Sequence, residues 1–287
     1  MNNVKIDQPF IARVIEISRM AGDAILAIYH ATEAMHIDIK SDGSPVTAAD
    51  FAAHRVIVKA LHELLPIPII SEEADLPDAA QRHTWSQYWL VDPLDGTKEF
   101  IARNGEFTVN IALVQQGIPV LGVVHVPVTD ESYIGVDQSV FVDGKSHAEK
   151  YLAGKKIADL HARNIKERFE TKQALDVLVS HRHSNHETQE LMQKIQQAWP
   201  APLNYIKVGS SLKCCLIAEG RADFYPRLGP TSEWDTAAAQ AVLCAAGGMI
   251  LNANTLTSLT YNHSESLGNP WFFAVADAEL KTLLSLL

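Results

Sequence analysis

The chain has 287 residues, of which 47% are hydrophobic and 20% charged, with a formal net charge of −10. This length allows one large domain or two lobes around a substantial core. The negative balance argues against a nucleic-acid polymer as partner unless there is a local basic patch, whereas a small anion is compatible if bound cations reverse the sign of a site.

Residues 8–30 place Phe10, Ile11, Val14, Ile17, Ala21, Ala24, Ile25 and Ile28 at helical spacing, which predicts an amphipathic helix. A polar loop from Lys40 to Pro45 follows. A second helix is expected from Thr47 to about Leu65, because Thr47-Ala48-Ala49-Asp50 has the shape of a capping box. Ile67 to Ile70 reads as a short strand ending at Ser71-Glu72-Glu73, and Tyr88 to Val91 as another, stopped by Asp92-Pro93. Phe107 to Val114 and Val120 to Val126 flank Gln115-Gln116-Gly117, the pattern of an antiparallel hairpin. Tyr133 to Val136 and Val140 to Val142 should extend that sheet. The charged stretch 143–173 is read as irregular and as a boundary between lobes.

Beyond it the predicted elements are a strand at 177–179, helices at 186–198 and 211–219, a strand at 222–225 and a helix at 235–246. Strands near 249–251 and 271–275 and a helix from Asp277 complete the chain. Both halves mix helices and strands, so the class is layered α/β or α+β. The longest apolar runs, such as Ile118 to Val128, are broken by Pro and Gly and are too short to span a bilayer. The amino terminus lacks the apolar core of a signal peptide, so a cytoplasmic location is expected. Cys214 and Cys215, in an apolar helical stretch, read as buried free thiols of a reducing compartment.

Three acidic clusters fall where elements end: Ser71-Glu72-Glu73, Asp92-Pro93-Leu94-Asp95-Gly96-Thr97 and Trp234-Asp235. Strand ends and helix starts line the crevice where ligands of α/β sheets bind. Pro93 fixes a turn between two aspartates, so both carboxylates can face one point, and Gly96 lets the backbone approach a ligand. Clustered carboxylates repel one another unless a metal or a proton intervenes. Magnesium wants such oxygens, and two ions roughly 3.5–4 Å apart can clamp an in-line phosphoryl displacement.

These three motifs, in this order and with Thr236-Ala237-Ala238 behind Asp235, resemble the inositol monophosphatase superfamily of lithium-sensitive phosphatases. The longer run from Tyr88 to Ile101, with Ser44 to Asp50, Asn104 to Leu113 and Gly209 to Lys213, is similar to its CysQ-type 3'(2'),5'-bisphosphate nucleotidase branch. The resemblance covers nearly the whole chain. It implies an αβαβα sandwich acting as one catalytic unit over 1–287, with an N-terminal lobe over 1–150 and a C-terminal lobe over 174–287. It also implies hydrolysis of 3'-phosphoadenosine 5'-phosphate to AMP and phosphate.

Carried over, Glu72, Asp92, Asp95, Asp235 and the Leu94 carbonyl would hold two or three Mg2+, and Asp50 and Thr97 would orient or activate the water. The backbone around Gly96 and Thr97 would hold the scissile phosphate. Ser211 and three residues of the second half, Lys213, Tyr225 and Arg227, would join the metal-side residues in contacting substrate, and so would His183. Some relatives of the branch are described as peripheral on the inner face of the bacterial membrane.

Two features depart from the branch: the long charged stretch Lys145 to Gln173, and Glu233, where an apolar residue is more usual. The His181-Arg182-His183 spacing is a weak zinc pattern with no matching Cys or acidic partner nearby. The rivals are an inositol or sugar monophosphatase on the same scaffold, which Lys98-Glu99-Phe100 disfavours, and a non-catalytic sensor of adenosine bisphosphate, which would not need Asp50 and Thr97.

Overall fold

A computed structural model of the protein describes residues 4–31, 37–39, 45–181 and 185–287. The first helix, α1 (Gln8–Tyr29), is capped by Asp7, whose Oδ1 accepts the Phe10 N–H. A small pair, β1 (Ile37–Ile39) and β2 (Pro45–Thr47), leads into α2 (Ala48–Leu64). Then come β3 (Ile69–Ser71), α3 (Ala79–Arg82), β4 (Gln87–Asp95), α4 (Thr97–Ile101), β5 (Thr108–Gln115), β6 (Ile118–Val126) and β7 (Glu131–Val136). Next are β8 (His147–Leu152), β9 (Lys155–Asp159), α5 (Ile165–Glu170), β10 (Leu175–Val179), α6 (His186–Ala198), β11 (Leu203–Lys207) and α7 (Leu212–Ala218). The last elements are β12 (Phe224–Arg227), α8 (Glu233–Ala245), β13 (Met249–Asn252), β14 (Phe272–Val275) and α9 (Ala278–Leu284).

Strands β3 to β9 form one seven-stranded sheet in sequence order, antiparallel except for the β3–β4 pair. The other large sheet has the order β11-β10-β12-β14-β13, with β10 parallel to both of its neighbours. One face of the first sheet (Trp89, Val91, Ile111, Val123) buries against α1 and α2. The opposite face (Leu90, Ala112, Val124) shares a core with α7, α8 and the second sheet. Helices α5, α6 and α9 cover the second sheet, which completes the expected αβαβα layering. In the middle layer, a Cβ on Gly122 or Gly135 would run into the α8 backbone at Ala238 and Ala241. The glycines and the alanine-rich helix therefore bring α8 close onto the sheet, which fixes the height at which its first turn enters the cleft. No helix among the described residues is long and apolar enough to cross a membrane.

Three expectations need correction. Strand β4 does not stop at Asp92-Pro93. It continues to Asp95, because pairing with β5 shifts register after Asp92↔Asn110 and resumes at Asp95↔Thr108; the irregularity accommodates Pro93, which has no N–H to donate. Residues 140–142 are not a strand and hold only a bridge between Ile6 and Phe141. The stretch 143–173 is not irregular: β8 and β9 extend the first sheet to Asp159, beyond the expected lobe end at 150, and α5 follows. Most of the loop from Lys40 to Pro45 lies outside the described residues.

Candidate active site

The structure brings the three acidic clusters together at the cleft between the two sheets. Ligand oxygens of Asp92, Asp95 and Asp235 lie within 4.8 Å of one another. Asp92 and Asp95 come from the irregular end of β4, and Asp235 from the first turn of α8. Gly96 follows with φ +93°, a left-handed conformation that lets the chain leave β4 and start α4 at Thr97.

Each aspartate has one oxygen tied to the scaffold. Asp92 Oδ1 accepts the Leu94 N–H at 3.0 Å, which closes the turn around Pro93. Asp95 Oδ2 accepts both the backbone N–H (2.5 Å) and the hydroxyl (2.7 Å) of Ser211, which precedes α7. Asp235 Oδ2 accepts the Ser232 N–H at 2.9 Å in a capping box. Ser211 Oγ is also 2.6 Å from the Asp235 carbonyl and accepts from Asn110 Nδ2 at 2.9 Å, so one hydroxyl joins β5, β4 and α8.

Asp50 sits at N3 of the expected capping box, and the two roles weighed for it coexist. Its Oδ2 accepts from the N–H (2.8 Å) and hydroxyl (2.7 Å) of Thr47, while its Oδ1 accepts the Thr97 hydroxyl at 3.3 Å. The helix cap thus aims a buried carboxylate at the hydroxyl that follows Gly96.

The electrostatics of the cluster favour a bound cation. Burial, followed by the charges of Glu72, Asp95 and Asp235, pushes the Asp92 carboxyl well above its ordinary range, and it shares a hydrogen bond with Glu72. Crowding by the surrounding protein, then the charge of Asp95, does the same to Asp235. Among the described residues no lysine or arginine forms an ion pair with Asp92, Asp95 or Asp235. An all-oxygen set with uncompensated charge suits a hard divalent cation such as magnesium. Glu72, at the end of β3, is tied to β4 through its N–H on the Val91 carbonyl and acts on Asp92 from the side.

Asp95, Gly96, Asp235, Ser211, Lys213, Tyr225 and Arg227 line one cleft. Lys213 is buried: its ammonium donates to the Ser210 carbonyl at 2.8 Å and the Val208 carbonyl at 3.2 Å, and lies 5.1 Å from the Tyr225 ring centroid. Arg227 donates to Pro230 O at 2.8 Å, and its buried Nε has no hydrogen-bond partner among the described residues. His183 lies outside the described residues. His181 lines the same cleft and is held by Glu106 at 2.7 Å. The sequence pattern assigns no role to Asn110 or Glu106, although both stand in the run Asn104 to Leu113 that carries the resemblance.

Glu233 is buried, with both carboxylate oxygens accepting the Asn262 N–H at 2.8 and 3.0 Å, and burial pushes its carboxyl up to about 7. It ties the 262–269 segment to the start of α8 and is not a solvated neighbour of Asp235.

With this geometry in hand, the class of protein is clear. The sequence matches the inositol monophosphatase family over residues 7–282, and the chain belongs to that family. Within it, the chain is 46% identical over 261 residues to 3'(2'),5'-bisphosphate nucleotidase CysQ of Salmonella typhimurium, covering 91% of this chain and 97% of the relative. It is 44% identical to the Escherichia coli K12 protein of the same name over the same shares. The crystal structure of CysQ from Bacteroides thetaiotaomicron superposes with a TM-score of 0.75 at 39% identity, covering 93% of this chain and 97% of that one. An inositol monophosphatase from Anabaena, 21% identical with a TM-score of 0.67 over 97% and 94% of the two chains, shares the fold.

Proposed function

We propose that this chain is a 3'(2'),5'-bisphosphate nucleotidase that hydrolyses 3'-phosphoadenosine 5'-phosphate to AMP and phosphate with two or three Mg2+. The observation that carries this reading is the convergence of Asp92, Asp95 and Asp235 beside the hydrogen-bonded Thr97–Asp50 pair in a cleft that also presents Arg227. The names of relatives that share nearly the whole length support the substrate class.

Glu72, Asp92, the Leu94 carbonyl, Asp95 and Asp235 are the groups proposed to hold the ions. Bound magnesium supplies positive charge that activates a water and offsets charge on the leaving oxygen. The remaining work falls to the chain's own residues. Thr97 Oγ1 donates to Asp50 Oδ1, so its lone pairs face away from Asp50 and can accept a proton from water, with the carboxylate as final acceptor. Gly96 permits a close backbone approach to the transferred phosphoryl group. Ser211 keeps Asp95 from rotating. Arg227 and Tyr225, on the wall of the cleft, are the residues proposed to meet the second phosphate and the nucleoside. Displacement is direct: Cys214 and Cys215, the nearest thiols, are buried and pushed up by that burial, Cys214 to about 12, so neither is a nucleophile.

The test is phosphate release from a panel of 3'-phosphoadenosine 5'-phosphate, AMP, inositol 1-phosphate and a sugar monophosphate, with and without magnesium. Preference for the bisphosphate, abolished by chelation, is expected. A preference for inositol phosphate would move the chain to the other branch, and binding without turnover would make it a sensor.

A further inference from the structure

Glu106 lies in the connection between α4 and β5, on the half of the molecule built on the seven-stranded sheet. That turn braces itself, since Asn104 Oδ1 accepts the Glu106 N–H at 2.9 Å. Its carboxylate reaches across the cleft to the other half. One oxygen, Oε2, accepts the Gly209 N–H at 2.6 Å and a hydrogen bond from His181 Nε2 at 2.7 Å. Gly209 opens the turn that leads through Ser210 to Ser211, and Ser211 supplies both donors to Asp95 Oδ2.

Two further observations show that this turn is held in place and is not simply resting there. Ser210 has φ +45°, a left-handed conformation that a non-glycine residue adopts only when its surroundings require it. The two halves also meet so closely that a Cβ on Gly209 would lie 2.6 Å from Glu99 Cγ and 3.1 Å from Glu106 Cβ. The turn is gripped from both sides, with Glu106 on the Gly209 N–H and the Lys213 ammonium on the Ser210 carbonyl.

We infer that Glu106 is a positioning residue for the reaction: it clamps the 209–211 turn onto the opposite half so that Ser211 fixes the orientation of Asp95. His181, on the cleft wall, holds the Glu106 carboxylate in that rotamer. Both restraints on Asp95 Oδ2 come from one residue, so a small displacement of the turn removes both together. Partners that orient a metal ligand typically account for about 10- to 100-fold in metal affinity or activity. The clamp rests on the proposed metal-dependent reading of the site.

The experiment compares Glu106→Ala, Glu106→Gln and Gly209→Ala with the wild type, using Tb3+ luminescence titration without substrate, thermal melting, and phosphate release resolved into kcat and KM. Glu106→Ala should lower Tb3+ affinity and kcat by about 10- to 100-fold, with KM altered far less and the melting temperature within about 3 °C of wild type. Glu106→Gln should recover most of both, because its carbonyl oxygen can still take the Gly209 N–H. Gly209→Ala, which pushes the turn off an intact Glu106, should reproduce the defect. Wild-type Tb3+ affinity in Glu106→Ala overturns the clamp. So does a loss of affinity matched by a large fall in melting temperature with no rescue by Gln, since Glu106 would then only support the fold. A wild-type chain that takes up no Tb3+ overturns the metal reading itself, and the clamp with it.

Discussion

Asp95→Asn should move activity and metal-free stability in opposite directions. The asparagine keeps the volume of the aspartate, but the structure dictates how its amide must lie. The Ser211 N–H and hydroxyl both point at Oδ2 from 2.5 and 2.7 Å, so that position must be the carbonyl oxygen. The NH2 group is then forced to face Asp92 and Asp235, presenting hydrogens where a cation needs a lone pair. Turnover should fall at least ~100-fold, equivalent to about 2.7 kcal/mol of transition-state stabilisation. Without metal, the same change removes a charge that pushes the carboxyls of Asp92 and Asp235 upward and gives them a donor. Each pKa unit so relieved is worth about 1.4 kcal/mol. In EDTA the variant should therefore melt about 2–4 °C above wild type for each kcal/mol gained, and magnesium should raise its melting temperature less than it raises that of wild type. Phosphate release at saturating magnesium and melting curves in EDTA decide the matter. Retention of more than about a tenth of wild-type turnover, or a metal-free variant less stable than wild type, would refute the reasoning.

Asp50→Asn should keep the α2 cap, with its carbonyl oxygen on Thr47, but cost about 10²- to 10⁴-fold in kcat by removing the acceptor for the Thr97 proton. Thr47→Ala should lose about 1 kcal/mol in urea denaturation and, because its hydroxyl also holds Asp50 Oδ2 while its N–H remains, lower kcat by less than Asp50→Asn does. Arg227→Ala should lower kcat/KM for the bisphosphate by roughly 10- to 150-fold, the worth of a charge-assisted contact, and leave a sugar monophosphate nearly unchanged; equal losses on both substrates would assign it to the fold. Burial pushes the His125 imidazole down to about 4. Below pH 6.5 the unfolded chain therefore binds a proton that the native state refuses, and stability falls as pH drops from about 6.5 toward 4, by about 2 kcal/mol at pH 5. Urea midpoints at pH 7 and 5 should differ less for His125→Gln than for wild type, and an equal difference in the two proteins would remove His125 from the account.

The parts of the fold legible in sequence were those with strong periodicity or punctuation. Helix α1 follows its apolar spacing, the β5–β6 hairpin turns at Gln116-Gly117, and the box at Thr47 to Asp50 starts α2 where expected. The strands that went unread are edges or near-edges. Every residue of β9 is exposed, and β11 has no fully buried residue, so neither carries the alternation that marks a half-buried strand. Helix α4 is too short for any periodic pattern. At the candidate site, the convergence of Asp92, Asp95 and Asp235 was legible because acidic residues fall where elements end. Ser211 was named as a substrate contact, but its bond to Asp95 spans 116 positions of sequence, and no local pattern encodes such a distance. The same holds for Glu106 and Gly209, 103 positions apart.

The way the site tolerates its own charge follows from these tethers. Asp92, Asp95 and Asp235 stand close together where arginine or lysine would ordinarily separate such carboxylates, yet a side-chain cation inside the cluster would compete with an incoming metal. Here the offset comes from backbone and hydroxyl donors. Asp50 and Asp235 are the N3 members of two separate capping boxes, at the positive ends of α2 and α8, where a carboxylate is favoured before any ligand arrives. Asp92 takes the Leu94 N–H and Asp95 takes both donors of Ser211. These donors hold one oxygen of each carboxylate and fix its side-chain rotamer, but as neutral dipoles they cannot neutralise it. Burial first, and then the neighbouring carboxylates, push Asp92 and Asp235 upward. Orientation is thus settled when the chain folds, and the uncompensated charge is left for a cation to neutralise.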